Sequence, residues 1–263
     1  MPVDALAFVS GILVGFVLGL IGGGGSVFAA PLLVYFVGVS EPHVAIGTSA
    51  VAVAANAIAN LVGHARAGHV KWPCALVFAG SGMIGAAIGS TLGKHFDGQK
   101  LLLLFGLLMI VIAAQMFFKK ASGREDDIRL TSQTLRHLGP PLIFYGLGVG
   151  GLAGFFGIGG GFLVVPGLLA ATDMPILFAI GSSLVSVAVF GATTAANYAL
   201  SGMIDWRVAG FLLAGGVLGG IGGGALASRL AVRRQTLTKV FAVLVAGVGC
   251  YVVFRGVLAL IGT

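Results

Sequence analysis

Apolar residues run along this chain in ten blocks, at 5–21, 26–38, 44–64, 72–93, 100–118, 141–157, 161–172, 177–199, 207–227 and 238–261. Blocks near 20 residues are long enough to cross a bilayer core as helices, whereas 26–38 and 161–172 are too short to do so straight. Each short block follows a glycine run: Gly22-Gly23-Gly24-Gly25-Ser26 in the first case and Gly157-Ile158-Gly159-Gly160-Gly161 in the second. Glycine costs about 1 kcal/mol per residue inside a helix, so both runs are expected to interrupt one. The pairs 5–21 with 26–38 and 141–157 with 161–172 therefore read as hairpins or broken helices. Backbone groups freed at such depth are tolerated only where protein buries them or a water-filled cavity receives them.

The block pattern repeats. At an offset of 135, Gly19, Gly22, Gly24, Gly25 and Pro31 match Gly154, Gly157, Gly159, Gly160 and Pro166. At an offset of 134, Ala45, Ile46, Gly47 and Ser49 match Ala179, Ile180, Gly181 and Ser183; Gly68 and Trp72 match Gly202 and Trp206; Gly85, Gly89 and Leu92 match Gly219, Gly223 and Leu226. A colinear series with a single slip reads as a duplicated unit, an arrangement common among secondary transporters. The division expected is a membrane repeat over 1–118, a linker over 119–139 and a second membrane repeat over 140–263.

Composition agrees: 58% of the residues are hydrophobic and only 9% are charged, against roughly 25% in soluble domains. The fold class expected is an all-α integral membrane protein, multi-pass, with the bilayer as its surroundings. Its net charge of +7 does not call for nucleic acid, because the basic residues sit in short loops between apolar blocks. With the linker (Lys119, Lys120, Arg124, Arg129, Arg136) in the cytoplasm and each short pair returning to its starting side, eleven of the fifteen Lys and Arg residues are cytoplasmic. If each pair instead crosses once, the cytoplasmic share drops to nine. The first arrangement gives each unit an odd number of crossings. The repeats, of about five helical segments each, are then inverted, with both termini external. No Lys or Arg precedes Arg66, so the first block lacks the basic flank of a secretory signal and is expected to remain in the mature chain. Trp72 and Trp206 read as symmetry-related interfacial anchors.

The candidate chemistry is neutral. A glycine run that opens a helix presents free N–H donors and the positive end of the helix dipole, which outlines an anion site. On this reading Gly22, Gly24, Gly25, Ser26, Gly157, Gly159, Gly160 and Gly161 meet a substrate. Polar residues follow each run: Thr48, Ser49, Asn56 and Asn60, of which Ser49, Asn56 and Asn60 share a helical face, and then Ser182, Ser183 and Asn197 with Ser186, Thr193 and Thr194. Neutral hydroxyls and amides can donate to an oxyanion without burying a charge, and they can equally hold helices together. Close helix packing is the competing reading of the glycines, best suited to Gly85/Gly89 and Gly219/Gly223. A dinucleotide-binding loop would need a preceding strand and a polar βαβ setting, which are absent from the pattern.

All eight acidic residues lie in loops or at segment ends, which leaves no intramembrane carboxylate for a proton relay, a cation site or a protease. Cys74 and Cys250 read as packed thiols, no metal-ligand cluster is apparent, and no cofactor is expected. His64, Arg66 and His69 read as a solvated or snorkelling cluster near a cytoplasmic helix end, or as an anion vestibule.

The duplicated glycine runs with their prolines, followed by Ile46-Gly47-Thr48-Ser49 and Ile180-Gly181-Ser182-Ser183, resemble the TauE/SafE sulfite exporter family from about residue 5 to 258. The resemblance implies a bacterial inner-membrane permease with repeated halves that moves sulfur-containing oxyanions, namely sulfite, sulfonates and related organosulfur anions. A small anion is then the partner expected, with a homo-oligomer open. Ile158 and Gly161 stand where the first run has Gly23 and Ser26, so the halves are not expected to touch substrate identically. The alternative is a channel-like or structural membrane protein whose glycines only pack helices. An embedded enzyme ranks third, for want of a catalytic carboxylate pair, metal cluster or Cys–His pair.

Overall fold

The structure, a computed structural model, describes residues 3–21, 23–118, 132–229 and 234–261. It is helical throughout the described residues. Helix α1 (Val3–Ile21) leads into a short helical stretch, residues 23–37, which contains α2 (Ala29–Leu32). Then come α3 (Pro42–Arg66), α4 (Trp72–His95), α5 (Gly98–Phe118), α6 (Ser132–Phe156), α7 (Gly161–Thr172), α8 (Ile176–Leu200), α9 (Trp206–Arg229) and α10 (Arg234–Ile261). Among the described residues, α1, α3, α4, α5, α6, α8 and α9 are long and apolar enough to cross a membrane. Helix α6 begins nine residues ahead of the apolar block at 141 and carries Pro140 and Pro141 within it.

Local chemistry sets the helix ends. Proline occupies the first turn of α3 and of α4, where no amide partner is needed. Asp97 Oδ1 accepts from the Gln99 and Lys100 amides to start α5, and Asp205 Oδ1 accepts from Arg207 and Val208 to start α9. Helices α3 and α8 stop alike: Gly68 (φ 71°) and Gly202 (φ 68°) turn left-handed, and the next amide reaches back to His64 or Tyr198.

Both short segments return along the helix before them. Gly25 lies against Val14 and Leu18 of α1, while Leu33 and Val37 cluster with Ala7. Gly160 lies against Ala153 of α6, and Gly167 against Val149. The pairs are hairpins.

Each half packs mainly against the other. Helix α1 lies on α9, with Gly11, Gly15 and Gly19 meeting Leu212, Gly216 and Gly220. Its counterpart α6 lies on α4, with Gly146, Gly150 and Gly154 meeting Phe78, Gly82 and Ala86. These two sets are related by the sequence offsets, residue for residue. A β-carbon on any of these six glycines would run into a facing carbonyl, which is why small residues recur every fourth position. Gly85/Gly89 and Gly219/Gly223 continue the same seams against Leu147/Gly151 and Ile12/Phe16, as the packing reading expects.

The contact order also gives direction. Helices α1 and α9 run parallel, as do α4 and α6. Helix α3 runs antiparallel to α8, with Gly47 near Tyr198, Ala54 near Gly191 and His69 near Gly181. Helices α5 and α10 are also antiparallel, with Leu103 near Gly256 and Met109 near Gly249. Large apolar side chains such as Phe144, Ile221 and Leu218 face outward, as lipid contact requires.

Candidate functional site

The second glycine run is the feature the fold is built to hold. Gly157 (φ 67°), Gly159 (φ 63°) and Gly160 (φ 70°) all adopt the left-handed region, which costs another residue roughly 1–2 kcal/mol each. The chain thereby leaves α6, turns, and opens α7 with Gly160 as N-cap. The Gly160 carbonyl accepts from Leu163 and Val164. Among the described residues, no group accepts from the amides of Gly159, Gly160, Gly161 and Phe162. All four residues are buried. A buried helix start with its first amides unpaired departs from the ordinary rule that such groups find partners. Successive amides around left-handed glycines form a concavity suited to an anion.

This loop sits at the centre of the molecule. Gly159 faces Val53 of α3 and Val187 and Gly191 of α8, at the α3–α8 crossing; Gly157 faces Ile46.

The first run behaves differently. Gly22 lies outside the described residues, and from Gly23 to Phe28 the chain winds as a 3-10 helix that passes through α2 into a π-turn at Leu33–Val37. The helix is interrupted here as expected, α1 ending at Ile21, but no described glycine of this run is left-handed and the chain continues by tighter winding over Gly23–Phe28. A 3-10 turn engages amides from Ser26 onward with carbonyls three residues back, leaving fewer free donors than the open loop of the second run. Gly24 lies within this turn, Gly25 packs on α1, and Ser26 is fully buried and bonded.

The hydroxyls are divided between two tasks, both symmetric. Thr48 Oγ1 accepts from the Asp205 amide at 3.0 Å, and Ser182 Oγ accepts from the Lys71 amide at 2.9 Å. Each thus fastens the approach to a helix, at opposite ends of the molecule. Ser49 and Ser183 donate to the Ile46 and Ile180 carbonyls of their own helices. Ser49 thereby bonds the residue that Gly157 touches, Ile46. Thr48→Val and Ser182→Ala are expected to lower stability by about 0.5–1.5 kcal/mol each, the worth of one part-buried hydrogen bond. Thermal unfolding midpoints should fall in both, with transport per folded molecule unchanged.

Asn56 is buried and packs over Gly216 of α9; its Oδ1 has no partner. Asn60 donates to the Asn56 carbonyl at 2.8 Å and lies beside Gly220. These two share the α3 face that carries Val53, as Ser49 does. Asn197 does not join them. It receives the Lys94 ammonium on Oδ1 at 2.6 Å and on its carbonyl at 3.1 Å, and it donates to Ser90 Oγ at 2.6 Å and Thr91 Oγ1 at 2.9 Å. Ser201 Oγ completes the ammonium's partners at 2.8 Å.

Lys94 was legible only as one basic residue among four on the outer side. Its neutral oxygen cage depends on α4 meeting α8, which spacing alone does not disclose. The offset places Gly63, Gly224 and Ser228 where this cluster has Asn197, Ser90 and Lys94. Gly63 and Gly224 have open space beside them, so α3 and α9 lack the polar clamp that joins α8 to α4.

A depression of about 380 Å³ opens beside the starts of α1, α3 and α9. Glu41 and Asp205 line it, a setting that repels anions.

The family described as Sulfite exporter TauE/SafE matches residues 7–252. A probable membrane transporter protein of Xylella fastidiosa (strain 9a5c) is 49% identical over 246 residues, covering 94% of this chain and 93% of its own. The probable membrane transporter protein YunE of Bacillus subtilis is 27% identical over 271 residues, covering 95% and 97%. No solved structure matches. Seven apolar helices of spanning length among the described residues, a buried glycine loop at the turn of the α6–α7 hairpin and this whole-chain likeness agree: the chain is a multi-pass membrane transporter that belongs to the TauE/SafE family.

Proposed function

We propose that the protein is an inner-membrane permease for a small sulfur-containing oxyanion, sulfite or a sulfonate, worked by two inverted halves that rock about the glycine loop. The observation that carries this reading is the row of unpaired buried amides at the start of α7. A dipole of about half an elementary charge at that helix start favours one anionic group. The sulfur chemistry is suggested by the family's name, sulfite exporter.

Counterpart helices that run antiparallel, α3 with α8 and α5 with α10, support inversion, because a two-fold relating them lies across the helix direction. Placed in a bilayer, Ala67 after α3 and Leu200 at the end of its counterpart α8 then fall on opposite faces. In a background without Cys74 and Cys250, Ala67→Cys should react with an impermeant maleimide only from the cytoplasmic side and Leu200→Cys only from outside. Labelling of both from one side would end the inverted reading.

The packing alternative accounts for the glycines of α1, α4, α6 and α9, but not for three left-handed ones within the four residues 157–160. Purified protein in liposomes provides the test, with sulfite, methanesulfonate, chloride and phosphate as substrates. The neutral walls can offset one negative charge and not two. Among the described residues, every carboxylate lies at a helix end or in a turn. Methanesulfonate uptake should therefore stay flat between about pH 6 and 8, while sulfite uptake falls as its dianion takes over. Uptake that does not discriminate against chloride and phosphate would overturn the proposal.

A further inference from the structure

At one end of the α3–α8 seam, two groups from separate helices have bonding capacity that the fold leaves unused, and an ammonium stands beside them. Tyr198 on α8 is fully buried, its ring packed over Gly47 of α3, and its hydroxyl has no partner. His43, one turn earlier on α3, lies with its ring centroid 6.3 Å from that of Tyr198. Its Nε2 meets the Phe96 carbonyl at 3.0 Å, and a carbonyl only accepts, so Nε2 carries the hydrogen. Nδ1 of the neutral ring is then an acceptor, and it too is buried without a partner. The Lys94 ammonium stands 6.0 Å from the Tyr198 ring centroid; its partners are the neutral oxygens of Asn197 and Ser201.

The other charges at this end lie on adjoining turns. Asp97, after α4, has Oδ1 committed to the amides that start α5. Glu41, just before α3, and Asp205, just before α9, are exposed and line the depression beside them, His95 and Lys100 are exposed, and Arg207 pairs with Asp4. A buried phenol needs an acceptor, and this imidazole needs a donor. One small species can satisfy both if it accepts from Tyr198 and donates to His43. The uncancelled ammonium selects an anion for that place.

We propose that Tyr198, His43 and Lys94 form an entry-side site for a monoprotonated oxyanion, one that bears both a negative oxygen and an O–H. Hydrogen sulfite belongs to this class, so the proposal rests on the oxyanion reading above and narrows its substrate to the protonated form at this step. The anion accepts from the Tyr198 hydroxyl and donates its own O–H to His43 Nδ1, while Lys94 contributes charge without a direct bond. Gly157 touches Ile46 on the neighbouring turn of α3, so the seam continues from here to the glycine loop. The offset counterparts of Asn197, Tyr198 and Lys94 are Gly63, His64 and Ser228, so the set is not repeated and serves one face only.

The test is calorimetric titration of the purified full chain at about pH 7 with sulfite and with methanesulfonate, which has no O–H to give. Wild type should bind sulfite at two sites and methanesulfonate at one. Tyr198→Phe keeps the ring over Gly47, and His43→Gln keeps a donor for the Phe96 carbonyl. Each should weaken the second sulfite site by about tenfold or more, as loss of one hydrogen bond to a charged group implies, and leave methanesulfonate unchanged. Sulfite titrations identical to wild type in both variants would overturn this site and leave the permease reading standing. A matching loss of methanesulfonate binding would also overturn it, since the variants would then act through the fold. If wild type binds neither anion, the oxyanion reading fails together with it.

Discussion

Replacing Gly15 or Gly150 with leucine is expected to remove the folded protein almost completely. Gly15 meets the Gly216 backbone, and Gly150 meets that of Gly82, so a side chain at either has nowhere to go but into the carbonyls of the facing helix. In water a crowded core costs about 1–3 kcal/mol, because side chains can shift. Here the obstacle is backbone on a rigid helix, and lipid offers the separated helices an equally apolar surface. Close contact is what holds them. The seams α1–α9 and α4–α6 also join the two halves, so their loss costs the assembly and not one local contact. Fluorescence-detected size exclusion of tagged protein should show an aggregated or absent peak for both variants. Gly80→Leu and Gly210→Leu, at positions with open space, should elute as wild type. Normal elution of Gly15→Leu would mean that these seams contribute little.

The paired effect follows from the duplication, and shows how far a repeat can be read before any contact is known. Offsets of 135 and 134 already state that whatever Gly11, Gly15 and Gly19 do, Gly146, Gly150 and Gly154 do also. They do not state the partner. The helices are apolar nearly all round, so periodicity names no buried face, and the choice of α9 for α1 is made by shape. Segment boundaries were readable because glycine, proline and aspartate act locally, as at Gly68, Pro42 and Asp205. The end of α1 at the first glycine run was readable in the same way, but the 3-10 winding after it was not, since such winding and a turn satisfy glycine about equally well and the packing of Gly25 on α1 decides between them. Thr48 and Ser182 were legible as a pair, but their acceptance of the Asp205 and Lys71 amides depends on chain more than 100 residues away. The Lys94–Asn197 cluster lay beyond reach for the same reason.

At the glycine loop the expectation is the reverse of that for the seams: folding retained and transport lost. Gly159→Ala adds one methyl, which would stand 2.9 Å from Val53 Cγ1, the movable end of a side chain. The fold can yield there by a small rotation, and the left-handed φ adds strain of about 1–2 kcal/mol, tolerable in a helical bundle closed by four long seams. The unpaired amides of Gly159 and Gly160 tolerate less. A β-carbon at this point covers the concavity from the side of the α3–α8 crossing, where an approaching anion has to lie, and it shifts donors whose worth depends on direction. Gly159→Ala should therefore elute as folded protein, with an unfolding midpoint lowered by only a few degrees, yet move sulfite and methanesulfonate into liposomes about a hundredfold more slowly, as misplacement near 1 Å can do to a preorganised site. Gly159→Leu should be inactive altogether. Gly85→Leu, against Leu147 and Gly151, fails through yield instead, so transport normalised to folded protein separates the two mechanisms. Undiminished transport by well-folded Gly159→Ala would show that the anion does not pass this loop, and the unpaired amides would need another occupant.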